Sequence, residues 1–587
     1  MILGTRHTGI VVQDMEKSLR FWRDIMGLKV QVDFREKGEF IDTVQHLKGV
    51  DLRMIKLAAP DGTLIELLKD DAHPTPVPTR NDLCDCGIRH IAFTVADVDQ
   101  SWKTLKDYGG EVLSPPTVSP DKKARLFFTR DPEGNLLEIV QMIPAELPHR
   151  RIVSPIPHPE SLSLIRELAE IEPHSMSGFP PVVWDRAEGF RVFDPYGNIW
   201  IDFTSSVVLA SAGHANPRIA RALRGQIDAK LWHCYCNPSR IRLDTVKALK
   251  QILPPYLDKV FLLSTGTETT EAAIKLMRLH GRKRSPEKYH VVSFFNSFHG
   301  RTMGAQSIGG FLDQQEWMGQ KPPGFHHIPF PECARCPWGR SQYEHCGREC
   351  FEKAIQTVPV PSDQVAGVIT ETFQGPTVAF MPEDFARALR EWCNQHEALL
   401  AFDEMQAGFG RTGQWFGFEH YGIEADLICL GKGMTSSVPM SALAGRGPVL
   451  DLAEHGQMSS THTGNPICCA ATIANIEAIR DDGLMENALR LEPVVRERLD
   501  NLKKEFPARI GTINGKGLVW AVYLVNPQTK ALDVDFAQRV TTRGMELGLL
   551  MLQTGRGTLK IAPPLCITRE ALLEGFDVIA QAVGECQ

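Results

Sequence analysis

Residues 427–437 read LICLGKGMTSS, an apolar run that ends in Lys432 with a glycine on each side. Lysine side chains usually keep their charge in water at the protein surface, so a lysine at the end of a buried strand needs an explanation. Residues 399–413 read LLAFDEMQAGFGRTG. They begin with a second apolar run, which is followed by Asp403, Glu404 and Gln406. Ligands of open α/β sheets lie at the carboxyl ends of strands, so these two strand ends predict one site.

A lysine and a carboxylate at such strand ends suit pyridoxal phosphate as the ligand. A lysine amine forms a Schiff base with the aldehyde of this cofactor, and a carboxylate keeps the pyridinium nitrogen protonated. The cofactor's phosphate needs a binding site as well. Residues 260–276, VFLLSTGTETTEAAIKL, predict a strand that ends at Ser264 and a helix that follows a glycine. Backbone N–H groups of Gly266 and Thr267 at that helix start are suited to a phosphate.

Helix and strand signals alternate from about residue 161 to residue 587, which predicts an α/β fold with a mostly parallel sheet. Residues 165–585 resemble the class III aminotransferases, the family of 4-aminobutyrate, ornithine and acetylornithine aminotransferases. The similar motifs are VFDPYGNIWIDFTS, SFHGRTMGAQS, STHTGNPICCAATIANIEAI and the segment from Asp403 to Gly433. The resemblance implies fold type I of the pyridoxal phosphate enzymes. Its large domain would span about 205–460, and the flanking segments would form its small domain.

The resemblance also implies a role for each matching residue. Lys432 is the Schiff-base lysine and proton shuttle, and Asp403 holds the pyridinium nitrogen. The other expected cofactor contacts are Gln406 near the phenolic oxygen, Phe298 on the ring face, and Gly266, Thr267 and Thr461 at the phosphate. Thr461 is expected to act in the neighbouring subunit's site, which implies a homodimer or a larger homo-oligomer.

Three residues are candidates for substrate binding. Arg301 matches a family arginine that often grips a substrate carboxylate with its two-pronged guanidinium, although a structural ion pair is the alternative. Glu371 matches a glutamate that in several members pairs with an arginine, but this chain has Lys560 at the arginine's position. A lysine lacks the guanidinium fork. The substitution puts glutamate and 2-oxoglutarate in doubt as the donor pair, and makes pyruvate or another small oxo acid as good an expectation.

The first part of the chain contains an internal repeat. RHTGIVVQDMEKSLRFW begins at Arg6 and RHIAFTVADVDQSWKTL begins at Arg89, and each predicts a strand, a turn and an amphipathic helix. The two modules also end alike, in APDGTLIELL and DPEGNLLEIV. Four equivalent positions follow from the repeat: His7 and His90 in the first strands, and Glu66 and Glu138 in the last strands. Such ligands suit Zn, Ni, Co, Mn or Fe. The alternative is that the histidines belong to the core and the glutamates to the strand rims.

Residues 4–143 resemble the vicinal-oxygen-chelate superfamily, which includes glyoxalase I and methylmalonyl-CoA epimerase. The resemblance implies an α+β domain of paired βαβββ modules. The superfamily also includes dioxygenases and non-catalytic resistance proteins, so membership does not fix a reaction. A full set of four ligands favours a glyoxalase-like or epimerase-like site.

The sequence thus predicts a domain at 1–145, a proline-rich linker at 146–160 and an enzyme at 161–587. The formal net charge of -7 gives no reason to expect nucleic acid or an anionic membrane as partner. An N-terminus without signal-peptide features, together with the absence of an apolar run of transmembrane length, leads us to expect a cytoplasmic protein. A C-x2-C-x9-C-x3-C cluster could hold a second metal or an iron–sulfur cluster, with free thiols or a crosslink as alternatives; its members are Cys333, Cys336, Cys346 and Cys350.

The leading hypothesis from the sequence is a fusion of two enzymes. The larger part transfers an amino group from an amino acid or ω-amino compound to a 2-oxo acid, and the smaller part is a metal-binding isomerase-like domain. The alternative within the same family is an amino-acid racemase, epimerase or lyase that uses the same lysine. In that alternative the N-terminal domain only binds a ligand.

Overall fold

The computed structural model of the protein describes residues 7–73, 90–120, 124–142, 148–175, 180–340 and 345–587. The chain separates into two compact units, Met1–Leu147 and Pro148–Gln587. The predicted boundary between residues 145 and 146, and the first two residues of the predicted linker, lie outside the described residues.

The N-terminal unit consists of two modules with the same strand order. The first sheet is ordered β1-β4-β3-β2 and the second β5-β8-β7-β6. In each sheet the first strand of the module pairs in parallel with the last. The elements are β1 Thr8–Val11, α1 Met15–Leu19 (continued by a π-helix, Arg20–Ile25), β2 Lys29–Lys37, α2 Glu39–Gln45, β3 Asp51–Ala58, β4 Leu64–Asp70, β5 His90–Thr94, α3 Val98–Asp107, β6 Thr117–Val118, β7 Ala124–Arg130 and β8 Leu136–Met142.

One hydrophobic cluster joins the two modules. Trp22 is fully buried, and its ring centroid lies 5.6 Å from that of Phe93 in the other module. Phe127 and Ile139 of the second module belong to the same cluster. The predicted α+β domain of paired βαβββ modules is confirmed, with α2 as an added helix in the first module.

A seven-stranded sheet forms the centre of the C-terminal unit, in the order β12-β20-β19-β18-β15-β13-β14. Its strands are parallel except β20, which runs antiparallel to both neighbours. Strands such as Val365–Glu371 are buried along their whole length, because helices cover both faces of such sheets and apolar runs are favoured there. The strands are β12 Lys259–Leu263, β13 His290–Phe294, β14 Phe325–Ile328, β15 Val365–Glu371, β18 Leu399–Asp403, β19 Leu427–Leu430 and β20 Ser441–Gly445.

Helices and three smaller sheets complete this unit. The smaller sheets are ordered β23-β11-β10-β9, β16-β17 and β21-β22-β25-β24. Their strands are β9 Arg186–Glu188, β10 Arg191–Phe193, β11 Ile199–Asp202, β16 Phe373–Gln374, β17 Ala379–Phe380, β21 Ile510–Lys516, β22 Val519–Leu524, β23 Leu549–Leu550, β24 Leu552–Gln553 and β25 Thr558–Ile561. The helices are α4 Pro159–Ile171, α5 Ser205–Val208, α6 Pro217–Asp228, α7 Arg240–Ile252, α8 Gly266–Arg282, α9 Met303–Ile308, α10 Gly347–Ile355, α11 Glu383–Gln395, α12 Gly447–Leu450, α13 Pro466–Asp481, α14 Leu484–Glu505, α15 Val534–Glu546 and α16 Arg569–Glu585.

The short element α5 is a left-handed turn. Ser205, Ser206, Val207 and Val208 all have positive φ, between 46° and 65°, a conformation that β-branched residues rarely adopt. Arg411 helps to hold the turn, since its guanidinium donates to Ser205 Oγ at 3.4 Å and to Ser211 Oγ at 3.2 Å. Val208 in turn packs in a cluster that includes Phe373.

The part of the chain that the structure describes contains no helix with the length and apolarity needed to cross a membrane.

Candidate active site

Three adjacent strands of the large sheet bring the predicted site residues together. Glu371 at the end of β15 is in register with Asp403 at the end of β18, and Asp403 is in register with Cys429 of β19. Lys432 follows β19 by two residues. A cavity of about 310 Å3 lies at these strand ends; it is lined by Thr265, Gly266, Thr267, Phe298, His299, Gly300, Arg301, Glu371, Thr372, Phe373, Asp403, Met405, Gln406, Ala407 and Lys432.

Asp403 is fixed by two hydrogen bonds. His299 Nδ1 lies 2.8 Å from Asp403 Oδ2, and the backbone N–H of Met405 donates to Asp403 Oδ1 at 3.1 Å. Both side chains are buried, so the imidazole N–H sets the orientation of the carboxylate at the cavity floor. Within the described part of the chain, Nε2 of His299 has no hydrogen-bond partner. Sequence reasoning gave His299 no role, although its place in FHGR, after the end of β13, was a usable signal.

Lys432 begins a short 3-10 turn, Lys432–Met434, and has a φ of 45°. A non-glycine residue in this left-handed region is strained, and such strain often marks functional sites. Burial lowers the pKa of the Lys432 amine, while the nearby carboxyl groups of Asp403 and Glu371 act in the opposite direction. The preceding Gly431 is required by a close approach, because a Cβ there would lie 2.5 Å from Met405 Sδ.

The helix start that was predicted to hold a phosphate borders the same cavity. Helix α8 is capped by Thr265, whose side chain accepts from the Glu268 N–H in a capping box. The first residues of α8, Gly266 and Thr267, line the cavity. Thr267 Oγ1 lies 2.7 Å from Thr302 Oγ1, which joins this helix start to the loop after β13.

Arg301 and Glu371 line the cavity, whereas Lys560 does not. Arg301 donates to Gln314 Oε1 at 2.8 Å, and its guanidinium lies 5.4 Å from the centre of the Phe298 ring. Burial raises the pKa of Glu371 to about 7. Lys560 is 2% exposed, and its ammonium donates to Gly375 O at 2.8 Å and to Gln406 Oε1. The predicted substrate roles of all three residues stay predictions.

Two other residues from the sequence motifs lie away from the cavity. The carboxylate of Glu404 is buried and accepts from the N–H groups of Gly417 at 2.7 Å and Phe418 at 2.9 Å. It therefore holds a loop in place. Thr461 is exposed in a turn and does not line the cavity of its own chain. Its role at the phosphate of a neighbouring subunit stays a prediction.

In the N-terminal unit the four predicted metal ligands form two pairs. His7 Nε2 lies 3.1 Å from Glu66 Oε2, and His90 Nε2 lies 3.2 Å from Glu138 Oε2. The two His–Glu pairs occupy equivalent positions in the two sheets. The strand partner of Glu66 is Gly9 and that of Glu138 is Ala92, and each partner follows its histidine by two residues.

The donor set suits a divalent metal, but its arrangement does not converge on one. Lys56 Nζ lies 3.2 Å from Glu66 Oε1 and competes for that carboxylate. Across the described ranges, no group of three or more His, Cys, Asp or Glu side chains is placed to hold a metal ion.

The four clustered cysteines, which all lie in the described part of the chain, are also not placed to hold a metal ion. Cys333, Cys336, Cys346 and Cys350 line a small cavity of about 20 Å3, and all four are free thiols. Trp338 Nε1 donates to Cys350 Sγ at 3.2 Å. Burial raises the pKa of the Cys350 thiol to about 11, which disfavours the free thiolate that reacts with an oxidant.

The residues around the cavity at the strand ends fit pyridoxal phosphate. They include a lysine amine, a buried carboxylate fixed by an imidazole, an aromatic ring and the N-terminus of a 17-residue helix. These groups match, respectively, the aldehyde, the ring nitrogen, the ring face and the phosphate of that cofactor.

Both units of the chain are similar to known protein families. Residues 173–583 match the family model described as Aminotransferase class-III, and residues 4–139 match the model described as Glyoxalase/Bleomycin resistance protein/Dioxygenase superfamily. A leucine/methionine racemase from Thermococcus litoralis is 32% identical over 414 residues, which are 70% of this chain and 92% of that protein. A 4-aminobutyrate aminotransferase from Mycobacterium leprae is 31% identical over 444 residues, covering 74% of this chain and 98% of that protein.

Solved aminotransferase structures are also similar to most of this chain. An amine transaminase from an uncultivated Pseudomonas species superposes with a TM-score of 0.65 at 26% identity, covering 71% of this chain and 98% of that one. An ornithine aminotransferase from Toxoplasma gondii has a TM-score of 0.64 at 26% identity, covering 72% of this chain and 95% of that one. The predicted fold of the larger unit is confirmed.

Proposed function

The chain belongs to the class-III aminotransferase family, and from that premise we propose that it is a pyridoxal-phosphate-dependent enzyme that transfers an amino group from an amino acid or ω-amino compound to a 2-oxo acid. One observation carries the proposal. Lys432, Asp403 with its partner His299, and the start of α8 border one cavity at the ends of adjacent strands.

Pyridoxal phosphate, when bound, supplies an aldehyde for the amine and a ring that takes up the electron pair left when the substrate carbon loses its proton. The residues of the chain have separate tasks around it. Burial favours the neutral amine of Lys432, so Nζ is able to accept a proton from the donor carbon and deliver it elsewhere. Asp403, held by His299, offers a fixed negative charge to a protonated ring nitrogen. Arg301 orients the donor through its carboxylate.

We propose a monocarboxylic oxo acid, such as pyruvate, as the acceptor. Among the described residues that line the cavity, Arg301 is the one that carries a guanidinium. Lys560 directs its ammonium to Gly375 and Gln406 instead. Apart from Arg301 and the proposed cofactor lysine, Lys432, the described cavity wall has no lysine or arginine for a second substrate carboxylate. Turnover with pyruvate should exceed turnover with 2-oxoglutarate, and the opposite order would rule out this choice of acceptor.

The first experiment is an absorption spectrum of the full chain with the cofactor, before and after a panel of amino donors without oxo acid. A visible band that one donor bleaches, with the amount of oxo product equal to the number of sites, supports amino transfer. Lys432→Ala should lose both the band and its bleaching. A chain that gives no visible band after addition of the cofactor would disprove the proposal.

Racemisation is a second candidate, because two curated relatives are named as racemases. They are the leucine/methionine racemase, at 32% identity, and an alanine/serine racemase from Pyrococcus horikoshii, at 30% identity. A racemase returns the proton to the same substrate carbon and needs no oxo acid. Loss of optical purity of leucine or alanine, without oxo product and with the visible band retained, would favour this candidate over amino transfer.

For the N-terminal unit we propose that His7, Glu66, His90 and Glu138 bind a divalent metal. The equivalent places of the two pairs and the match to the glyoxalase superfamily support the proposal. A bound ion would need the two pairs to meet, so we derive no reaction step from it. Metal analysis of the dialysed full chain after incubation with Zn, Ni, Co, Mn or Fe tests the proposal. A stoichiometric ion that is lost in both His7→Ala and His90→Ala would support it, and no retained ion would refute it.

A further inference from the structure

The best-defined contact that the proposed function does not explain is that of the buried lysine on β25. Lys560 lies in the sheet β21-β22-β25-β24, paired with Ala521 on one side and Leu552 on the other. It is 2% exposed, so its charge has left water almost completely. A buried ammonium is costly unless its donors are satisfied, and the partners that satisfy it therefore indicate its role.

Those partners are uncharged, and two of them belong to the cavity wall. The ammonium donates to Gly375 O at 2.8 Å and to Gln406 Oε1, and it lies 5.2 Å from the centre of the Phe373 ring. Gln406 and Phe373 both line the cavity. Among the described residues, no ion pair joins Lys560 to Glu371 or to another carboxylate. Lys560 therefore does not face the cavity itself; it contacts Gln406, a residue that does.

The contact fixes which end of the Gln406 amide faces outward. An ammonium has donors and no acceptor, so it binds the carbonyl end of the amide. The remaining end, the Nε2 amino group, is then free to donate. Gly375 closes the same corner, since a Cβ there would lie 3.3 Å from Gln406 Nε2 and 2.8 Å from Glu371 Oε1. While Lys560 is protonated, no rotation of the amide keeps both the Lys560 bond and an outward-facing carbonyl.

We propose that Lys560 is a positioning residue that holds the Gln406 amide with its N–H2 group turned to the cavity, where it donates to an anionic oxygen of the bound cofactor. This inference rests on the proposed function, because it needs pyridoxal phosphate in the cavity. In this role Lys560 sets the affinity of the chain for the cofactor and the pH at which the bound cofactor titrates. The substrate does not contact Lys560.

The charges around Lys560 agree with such a role. Burial, together with the charges of Lys432 and Arg411, lowers the pKa of Lys560, and Glu371 acts in the opposite direction; the resulting pKa is about 7. An amine with so low a pKa is a weak partner for a substrate carboxylate at neutral pH. Its N–H groups remain able to donate to the two carbonyl oxygens in either protonation state.

The test compares Lys560→Met with a matched control, Lys288→Met, in the full chain. Lys288 is a second buried lysine, 4% exposed, whose ammonium donates to Asp363 O at 3.0 Å and His396 O at 2.8 Å, and it does not line the cavity. The first readout is the dissociation constant of pyridoxal phosphate, titrated into the apo form. Loss of one oriented hydrogen bond predicts about ten-fold weaker binding for Lys560→Met and wild-type binding for Lys288→Met.

The second readout is the pH at which the visible band of the holoenzyme changes form. Loss of the oriented Gln406 donor favours the protonated cofactor, so the midpoint should move to higher pH by about half a unit or more in Lys560→Met. Lys560→Arg keeps charge and donors, and it should stay closer to wild type in both readouts.

A double-mutant cycle with Gln406→Leu decides whether Lys560 works through the glutamine. If it does, Lys560→Met has no further effect once Gln406 is replaced. Additive effects of the two substitutions would overturn the proposal, as would a Lys560→Met variant that matches wild type in both readouts. Should Lys560→Met fail to fold, Lys560→Gln keeps an N–H2 donor group and much of the volume, and is judged by the same cycle. A wild-type chain that binds no pyridoxal phosphate would instead refute the proposed function.

Discussion

Asp403 is the residue whose chemistry is most clearly defined by its surroundings. Its carboxylate is buried, accepts from His299 Nδ1 and from the Met405 N–H, and faces a cavity that also contains Lys432. Asp403→Asn keeps the shape but cannot offer a negative charge to a ring nitrogen. We expect turnover to fall by about 10²-fold or more, with the melting temperature close to that of wild type. Steady-state kinetics and calorimetry measure the two effects, and near-normal turnover would contradict the role of Asp403.

Glu371 predicts a pH dependence of substrate binding. Burial raises its pKa to about 7, so the carboxyl is neutral below pH 7 and becomes anionic above it. An anionic carboxylate in the cavity wall repels a substrate carboxylate, and donor affinity should therefore weaken as the pH rises through 7. Glu371→Gln cannot ionise and should remove this part of the profile. Donor titrations of the visible band between pH 6 and pH 8 provide the measurement, and an unchanged profile in Glu371→Gln would assign the effect to another group.

The sequence predicted the site residues that follow strands directly and did not predict those that depend on contacts distant in the chain. Lys432 and Asp403 each follow an apolar run, and strand ends of one sheet meet. The partner of Asp403 is His299, more than a hundred residues away. The contact between Lys560 and Gln406 likewise joins strand β25 to the turn that follows β18 of a different sheet. No local pattern encodes either pairing, because both arise from how the strands are ordered in space.

At the scale of elements, the loop after β13 packs against the start of α8 through a glycine. Gly300 has a φ of 135°, and a Cβ there would lie 2.3 Å from Thr267 Oγ1 and 2.7 Å from Thr267 Cβ. A threonine is stiff at χ1, so it does not move aside easily. Gly300→Ala should therefore push the loop from the helix start and weaken cofactor binding by about ten-fold or more.

A glycine that also has a positive φ, but has open surroundings, is the control for that substitution. Gly422 has a φ of 61°, and a Cβ there would meet nothing within 4 Å. Gly422→Ala should cost only the backbone term of about 1–2 kcal/mol and leave cofactor affinity unchanged. Equal loss of affinity in both variants, measured by titration of the apo form, would show that backbone strain alone is responsible and that the contact with Thr267 is not.

Element types were predictable wherever the apolar pattern was strong. The duplicated strand-helix modules of the N-terminal unit and the alternating helices and strands of the larger unit were both confirmed. The left-handed turn at Ser205–Val208 could not be read from the sequence, since two serines and two valines give no signal for positive φ. The turn exists because of tertiary contacts, among them the Arg411 bonds to Ser205 and Ser211.

At the scale of the whole molecule, each unit has hydrophobic clusters of its own. The chemistry proposed for the larger unit uses residues of Pro148–Gln587 alone. We therefore expect residues 148–587, expressed without the first unit, to bind pyridoxal phosphate and to give the same donor-induced bleaching. Spectral titration of the fragment beside the full chain tests this expectation. A folded fragment that binds the cofactor normally but no longer reacts with donors would show that the first unit takes part in the reaction.

The homodimer expected from the sequence makes a prediction that separates residues of one subunit from those of its neighbour. If Thr461 serves the phosphate in the neighbouring site, each site takes Lys432 from one chain and Thr461 from the other. Lys432→Ala chains should be inactive, and Thr461→Ala chains should lose activity at limiting cofactor, because one phosphate contact is missing. In a mixed dimer of the two variants, one site combines both defects. The other site has an intact Lys432 and receives an intact Thr461.

Mixing the two variants under conditions that exchange subunits should therefore restore activity at limiting cofactor, up to about a quarter of the wild-type value for random pairing, since half the dimers are mixed and each has one intact site of two. Each variant mixed with itself is the control, and size-exclusion chromatography with light scattering confirms that dimers are present. If Thr461 instead acted in its own chain, every site in the mixed dimer would carry one of the two substitutions. Activity would then stay at the level of the separate variants, which would contradict a site shared between subunits.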